Sequence, residues 1–245
     1  MTEEEIEFWG SVKHGFGHRT KCHAMICGSE ERWREERKKY LCASEAACVI
    51  GIGFKDNVQL WEQKTNPNYE PEPNTPSVES LMAKGTANEP LSKRQWEIDT
   101  GHKVYDGTQV LCVNQSILDK NGKPFLACTL DAVGCDTNTW QLYDIELKRS
   151  ESMKMFSDPV NMPDKYRAQV LHQMLVTGLP RAVLVARIVW VDTSGRRHVV
   201  ERDYWLDADD PNVGYDMEKL LEVETKFWNE NVLTGVRPSR ILPAL

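Results

Sequence analysis

Tyr143-Asp144-Ile145-Glu146-Leu147-Lys148-Arg149, with Asp131 fifteen residues ahead of Glu146, is the stretch on which the reading of this chain turns. Residues 140–148 read as a strand carrying apolar Leu142 and Ile145, preceded by a turn over 134–139. Alternate residues of a strand share a face, so Glu146 and Lys148 project together while Leu147 points the other way, into the core. Asp131 ends an earlier apolar strand, 125–130, and a hairpin between the two strands predicts its carboxylate beside Glu146. Two carboxylates and one lysine suit a hard divalent cation with a charged group aimed at the bound water. The competing reading is a solvated Glu-x-Lys ion pair, which is worth little on an exposed face. The apolar context argues for the site, because unpaired charge at the end of a buried sheet is costly.

Composition sets outer bounds. A chain of 245 residues with 40% hydrophobic content and eight tryptophans is globular, either one large domain or two small ones. No apolar run approaches membrane-spanning length, and the acidic start Met1-Thr2-Glu3-Glu4-Glu5 does not read as a signal or transit peptide. The seven cysteines are odd in number and contain no C-x-x-C, which predicts reduced thiols and a cytoplasmic setting. A net charge of −7 excludes a generic nucleic-acid coat but leaves room for a local basic groove. Basic residues do gather at 32–39, Lys93-Arg94, Lys148-Arg149, Lys165 with Arg167, and Arg196-Arg197, although each group alone reads as a solvated face.

Along the chain, helices are predicted at 29–40, 43–50, 58–64, 77–100, 164–177 and 217–233. The 43–50 helix is opened by Ser44, and Gly85 and Pro90 interrupt 77–100. Strands are predicted at 109–114, 125–130 and 140–148, with a turn at Asp119-Lys120-Asn121-Gly122-Lys123, and a further hairpin joins 181–191 to 198–206. Residues 66–77, with four prolines, read as a loop inside one α/β domain spanning 1–245. Residues 1–28 resist assignment: His14, His18, Cys22, His23 and Cys27 have loosely zinc-like spacing but fit no standard pattern.

Four motifs in order resemble the lambda-exonuclease and YqaJ-like viral recombinase nucleases, a branch of the PD-(D/E)xK superfamily. Arg37-Lys38-Lys39-Tyr40-Leu41-Cys42-Ala43-Ser44-Glu45-Ala46-Ala47 is similar to an R-x(5)-A-S-E-x-A signature, and Gly85-Thr86-Ala87-Asn88-Glu89-Pro90 to a G-x-x-x-E-P helix. Thr129-Leu130-Asp131-Ala132 stands where the family has S-P-D-G, followed by the E-x-K strand. Tyr166 to Gly178 resembles a Y-x-x-Q-v-q-x-x-M-x-v-T-G helix. The resemblance covers roughly 30–205; the replaced S-P and G change the turn before and after Asp131, and 1–28 stay unmatched.

The resemblance implies a restriction-endonuclease-like core, a central mixed sheet flanked by helices. It also implies Mg²⁺, with Mn²⁺ as a substitute, in two copies held by Asp131, Glu146 and the Leu147 carbonyl, with Glu89 as a further ligand. Lys148 would orient the attacking water, Gln169 would bond the ligand shell, and Arg37, Ser44 and Thr129 would form a 5′-phosphate pocket. The implied activity is 5′-to-3′ digestion of one strand at linear double-stranded DNA ends, leaving 3′ tails. The implied partners are DNA, two further copies in a ring-shaped homotrimer, and a single-strand annealing protein of viral or phage recombination. Two alternatives stay open: another PD-(D/E)xK nuclease that cuts internally, and a non-catalytic DNA-binding module, which would not need all four of Asp131, Glu146, Lys148 and Gln169.

Overall fold

Every residue of Val110–Asn114 is buried, as a strand covered on both faces requires. In the computed structural model, which describes residues 1–12, 14, 16, 20–70, 73 and 75–242, this run is the second strand of a four-stranded sheet. Its order is β1 (Cys22–Ile26), β4 (Val110–Asn114), β5 (Leu126–Cys128) and β2 (Leu41–Cys42). A second sheet has five strands: β3 (Lys103–Asp106), β6 (Ala132–Cys135), β7 (Leu142–Ser150), β8 (Arg181–Val191) and β9 (Arg197–Asp207), in that order. Both sheets are mixed, with one parallel pair each, β2 with β5 and β7 with β8.

A parallel pair needs a long crossover, and between β7 and β8 this is α6 (Asp164–Thr177). Its buried side chains Ala168, Leu171 and Met174 pack toward the second sheet and α3 (Ala43–Val49). Gly178 ends it at φ 72°, and a Cβ there would lie 2.8 Å from Thr20 Cβ, so only glycine fits. Buried His172 extends from α6 to the first sheet, its Nε2 3.0 Å from the Ala127 carbonyl and its Nδ1 2.7 Å from Glu224 of α7 (Pro211–Phe227). α6 is therefore the strut between the sheets. Around it lie α1 (Glu3–Ser11), α2 (Glu30–Arg37), α4 (Asn57–Thr65) and α5 (Pro76–Thr100). α5 stays helical through Gly85 and Pro90.

The predicted partner of the Glu146 strand is wrong. Residues 125–130 belong to the first sheet, and the strand beside β7 is β6, which starts just after Asp131 and runs into the stretch read as a turn. The chain changes sheets at Asp131, and β6 is only four residues, too short to show alternation. Gly134 sits under the Tyr143 ring, where any Cβ would clash at 2.2 Å. The true turn follows, with Asp136 accepting from the Asn138 and Thr139 amides. α1, β1 and β3 were not foreseen, and Cys42 rather than Ser44 caps α3.

All seven cysteines are free and buried, and no helix among the described residues is long and apolar enough to cross a membrane. Of the loosely zinc-like set, His18 lies outside the described residues. The His14 and His23 rings stand 6.5 Å apart.

Candidate active site

The end of β6 opens a notch. Its last pair with β7 is Ala132 with Ile145, so from Glu146 onward that edge of β7 lacks a strand. Asp131 fills the gap: its Oδ2 accepts the Leu147 N–H at 2.8 Å, in place of a ladder bond. The N–H and C=O of one strand residue leave on the same side. The Leu147 carbonyl thus faces the edge that Asp131 occupies.

On the adjoining face Glu146, 1% exposed, is clamped at both oxygens. Gln169 Nε2 donates to Oε1 and Gln173 Nε2 to Oε2, each at 2.6 Å, and Lys148 Nζ donates to Oε1 as well. Gln169 and Gln173 are four apart and so lie on one face of α6. The amides fix the carboxylate without neutralising it.

Charge repulsion runs through the site. Burial, then the neighbouring Glu146 carboxylate, push Asp131 up to about 6. Burial and Asp131 raise Glu89 of α5 as well, which lines a cleft with Leu147 and Lys148. Asp144, two residues before Glu146 on the same face, is fully buried without a hydrogen bond, and burial with Glu146 and Asp131 drives it well above its ordinary range. Burial alone would lower the Lys148 ammonium, but Glu146 and Asp131 outweigh it and hold it raised.

No group of three or more His, Cys, Asp or Glu side chains among the described residues forms a ready metal cage. The donor set nevertheless suits a hard cation. Asp131 and the Leu147 carbonyl share an edge, Glu146 adjoins them, and mutually repelling carboxylates would be relieved by positive charge. A cation held by two carboxylates and one carbonyl keeps water positions, as Mg²⁺ prefers.

The three residues assigned to end recognition meet around a tryptophan. Arg37 donates to Ser44 Oγ at 3.0 Å and lies 4.4 Å above the Trp33 ring, while Trp33 Nε1 donates to Thr129 Oγ1 at 2.8 Å. The seven-residue α3 offers little dipole there, and Glu45 already bonds the Cys42 N–H. Sequence reasoning missed Trp33, Gln173 and Asp144. Their signals were the fourth position before Arg37, the i+4 step from Gln169 and the i−2 step from Glu146, visible only once the elements are placed.

The geometry defines a PD-(D/E)xK-type fold, with the acidic and lysine side chains at a sheet edge. Residues 32–180 match the YqaJ-like viral recombinase domain, and the chain belongs to that family. Membership supports a viral-type exonuclease. Among solved structures, the chain is similar to an alkaline exonuclease from Laribacter hongkongensis, at 18% identity and a TM-score of 0.50, covering 84% of this chain and all of that one. It also matches a phage-related exonuclease from Haemophilus somnus, at 10% identity and a TM-score of 0.43, over 80% of this chain and 96% of that one. Curated proteins yielded no match.

Proposed function

We propose that residues 1–245 act as one nuclease domain, a divalent-metal-dependent 5′-to-3′ exodeoxyribonuclease of linear duplex ends, working in the host cytoplasm. The observation that carries this reading is the convergence of Asp131, Glu146 and Lys148 at the open edge of β7, with Gln169 on Glu146. Asp131, Glu146 and the Leu147 carbonyl would hold the ion, Mg²⁺ or Mn²⁺ in two copies, with Glu89 contributing from α5. When bound, the metal supplies Lewis acidity and offsets phosphate charge. Lys148 holds the attacking water by a hydrogen bond and favours its deprotonated form. Gln169 and Gln173 keep the Glu146 carboxylate from rotating, which preserves its orientation through the reaction.

Arg37, Ser44 and Thr129 seat the terminal 5′ phosphate in this reading, with Trp33 stacking under the guanidinium. A terminal phosphate carries more charge than an internal diester, so a guanidinium with two hydroxyls selects ends. Seating it sets the scissile bond one nucleotide inward and prepares the next cut. The products are mononucleotides and 3′ single-stranded tails, which a single-strand annealing protein would take up for recombination.

The test compares end-labelled linear duplex bearing a 5′ phosphate or a 5′ hydroxyl with a closed circle. Wild type is expected to prefer the phosphorylated end and spare the circle. Arg37→Ala should lower the rate on phosphorylated ends by about 10–100-fold, the loss of one charge-assisted contact of roughly 1.5–3 kcal/mol, and barely change hydroxyl ends. Equal wild-type rates on both ends, or ready cutting of the circle, would move the protein to the endonuclease reading. A ring-shaped homotrimer around the duplex belongs to the same proposal. Sedimentation at micromolar protein should show three copies, and a monomer would remove the ring.

A further inference from the structure

Four arginines from separate parts of the chain meet beside the notch. Arg94 of α5, Arg149 of β7, Arg187 of β8 and Arg197 of β9 line one open cavity of about 370 Å³. In a chain of net charge −7 such a gathering creates a local field opposite to the whole. Counter-charge is thin. Arg187 lies 3.1 Å from Glu201 and Arg94 lies 3.5 Å from Glu97, but Arg149 and Arg197 make no ion pair among the described residues. The Arg149 Nε is also buried with no hydrogen-bond partner, a donor held without an acceptor at a cost in free energy.

The cavity is continuous with the cleft beside Glu89 of α5. Asn88, Ser92, Arg149 and Arg187 line both it and the cleft that holds Glu89, Leu147 and Lys148. A polyanion lying along that cleft past Glu89 would run into the arginines, whose planar forks match phosphate oxygens. The end-recognition residues come from the other direction. Arg37, Ser44 and Thr129 belong to α2, α3 and the end of the first sheet, whereas Arg149 lies on the β7 face opposite Glu146, toward α5.

We propose that this four-arginine pocket is a second, non-catalytic phosphate site that grips the backbone of the DNA strand on the 3′ side of the cleaved bond. The proposal rests on the nuclease reading for the strand's direction. With the 5′ end seated at Arg37, the strand passes the carboxylates and its following phosphates enter the arginine pocket. The grip keeps the enzyme on its substrate after each mononucleotide leaves.

The experiment is anisotropy binding of a labelled 5′-phosphorylated duplex to full-length protein in EDTA across a salt series. Wild type is compared with the double variant Arg94→Gln/Arg197→Gln and with Arg94→Lys/Arg197→Lys. Both side chains are exposed, and melting curves check that the fold is kept. Each phosphate contact contributes about −0.9 to the slope of log affinity against log salt. The Gln double variant is expected to flatten that slope by about 2, while the Lys variant retains it. An unchanged slope in the folded Gln variant overturns the pocket. Wild-type digestion of the same duplex with Mg²⁺ at low salt is run in parallel. If wild type fails to cut while the slope still falls by about 2, the phosphate site stands and the nuclease reading falls.

Discussion

Glu146→Gln is expected to lower metal-dependent DNA digestion by about 10²–10⁴-fold while the protein stays folded. The range corresponds to several kcal/mol of lost charge stabilisation, at about 1.36 kcal/mol per decade. The substitution keeps the volume but removes the charge. It also disturbs the clamp, because Glu146 accepts hydrogen bonds at both oxygens, from Gln169 and Lys148 at one and Gln173 at the other. A glutamine there must aim its own NH₂ at one of those donors. The measurement is single-turnover digestion of linear duplex with Mg²⁺, beside thermal melting and calorimetric titration of the metal. Activity within tenfold of wild type would remove Glu146 from the ligand set. Metal binding that persists with chemistry lost would instead assign Glu146 to the reacting water.

The second large effect concerns stability. Glu224→Ala is expected to cost about 3–5 kcal/mol, the range for breaking a buried ion pair, and to lower Tm by roughly 6–20 °C for a chain of this size. His172 and Glu224 are both fully buried, and the two imidazole nitrogens each face an oxygen, Glu224 Oε1 and the Ala127 carbonyl. With acceptors at both nitrogens the ring can donate twice only as imidazolium. Burial alone would lower His172, but Glu224 and the two hydrogen bonds raise it above 6.5. A raised histidine contributes stability that is complete below the unfolded value near 6.5 and is lost as pH climbs through the folded value. The gap between wild type and Glu224→Ala should therefore be widest below about pH 6.5 and narrow in alkali. Calorimetry from pH 5.5 to 10 checks this, and a pH-independent gap would mean a neutral ring.

Much of the site was legible because alternation is local. Glu146 and Lys148 share a face as a two-residue period requires, and Gln169 reaches Glu146 from the helix that the apolar spacing outlined. Arg37 and Ser44 are likewise joined, through a contact seven residues apart. What failed depends on distant pairing. Nothing near Asp131 announces that the chain leaves one sheet there and enters another, since Leu126–Cys128 and Ala132–Cys135 are both short and fully buried. Trp33 could not be tied to Thr129 without knowing that α2 folds back ninety-six residues away. The arginine pocket drew on Arg94, Arg149 and Arg197, whose groups each read as ordinary solvated surface, and on Arg187 inside an apolar strand.

The attachment of α5 has a mechanical consequence. Its C-terminal half is pinned where Trp96 donates to the Tyr143 hydroxyl and Lys93 meets Asp106. Toward its other end there is an exposed pair, Lys84 with Glu151, and the Val78 side chain is exposed. Glu89 sits on this arm about two turns from the Trp96 pivot. Asp131 and Glu146 instead sit on an anvil, bound to the β7 backbone and to the strut helix. A tilt of the arm would shift Glu89 while Arg94, between the Lys93 and Trp96 attachments, stays near the pivot and the anvil stays still. The acidic group contributed by α5 therefore rests on a more loosely held support than the two carboxylates of the anvil.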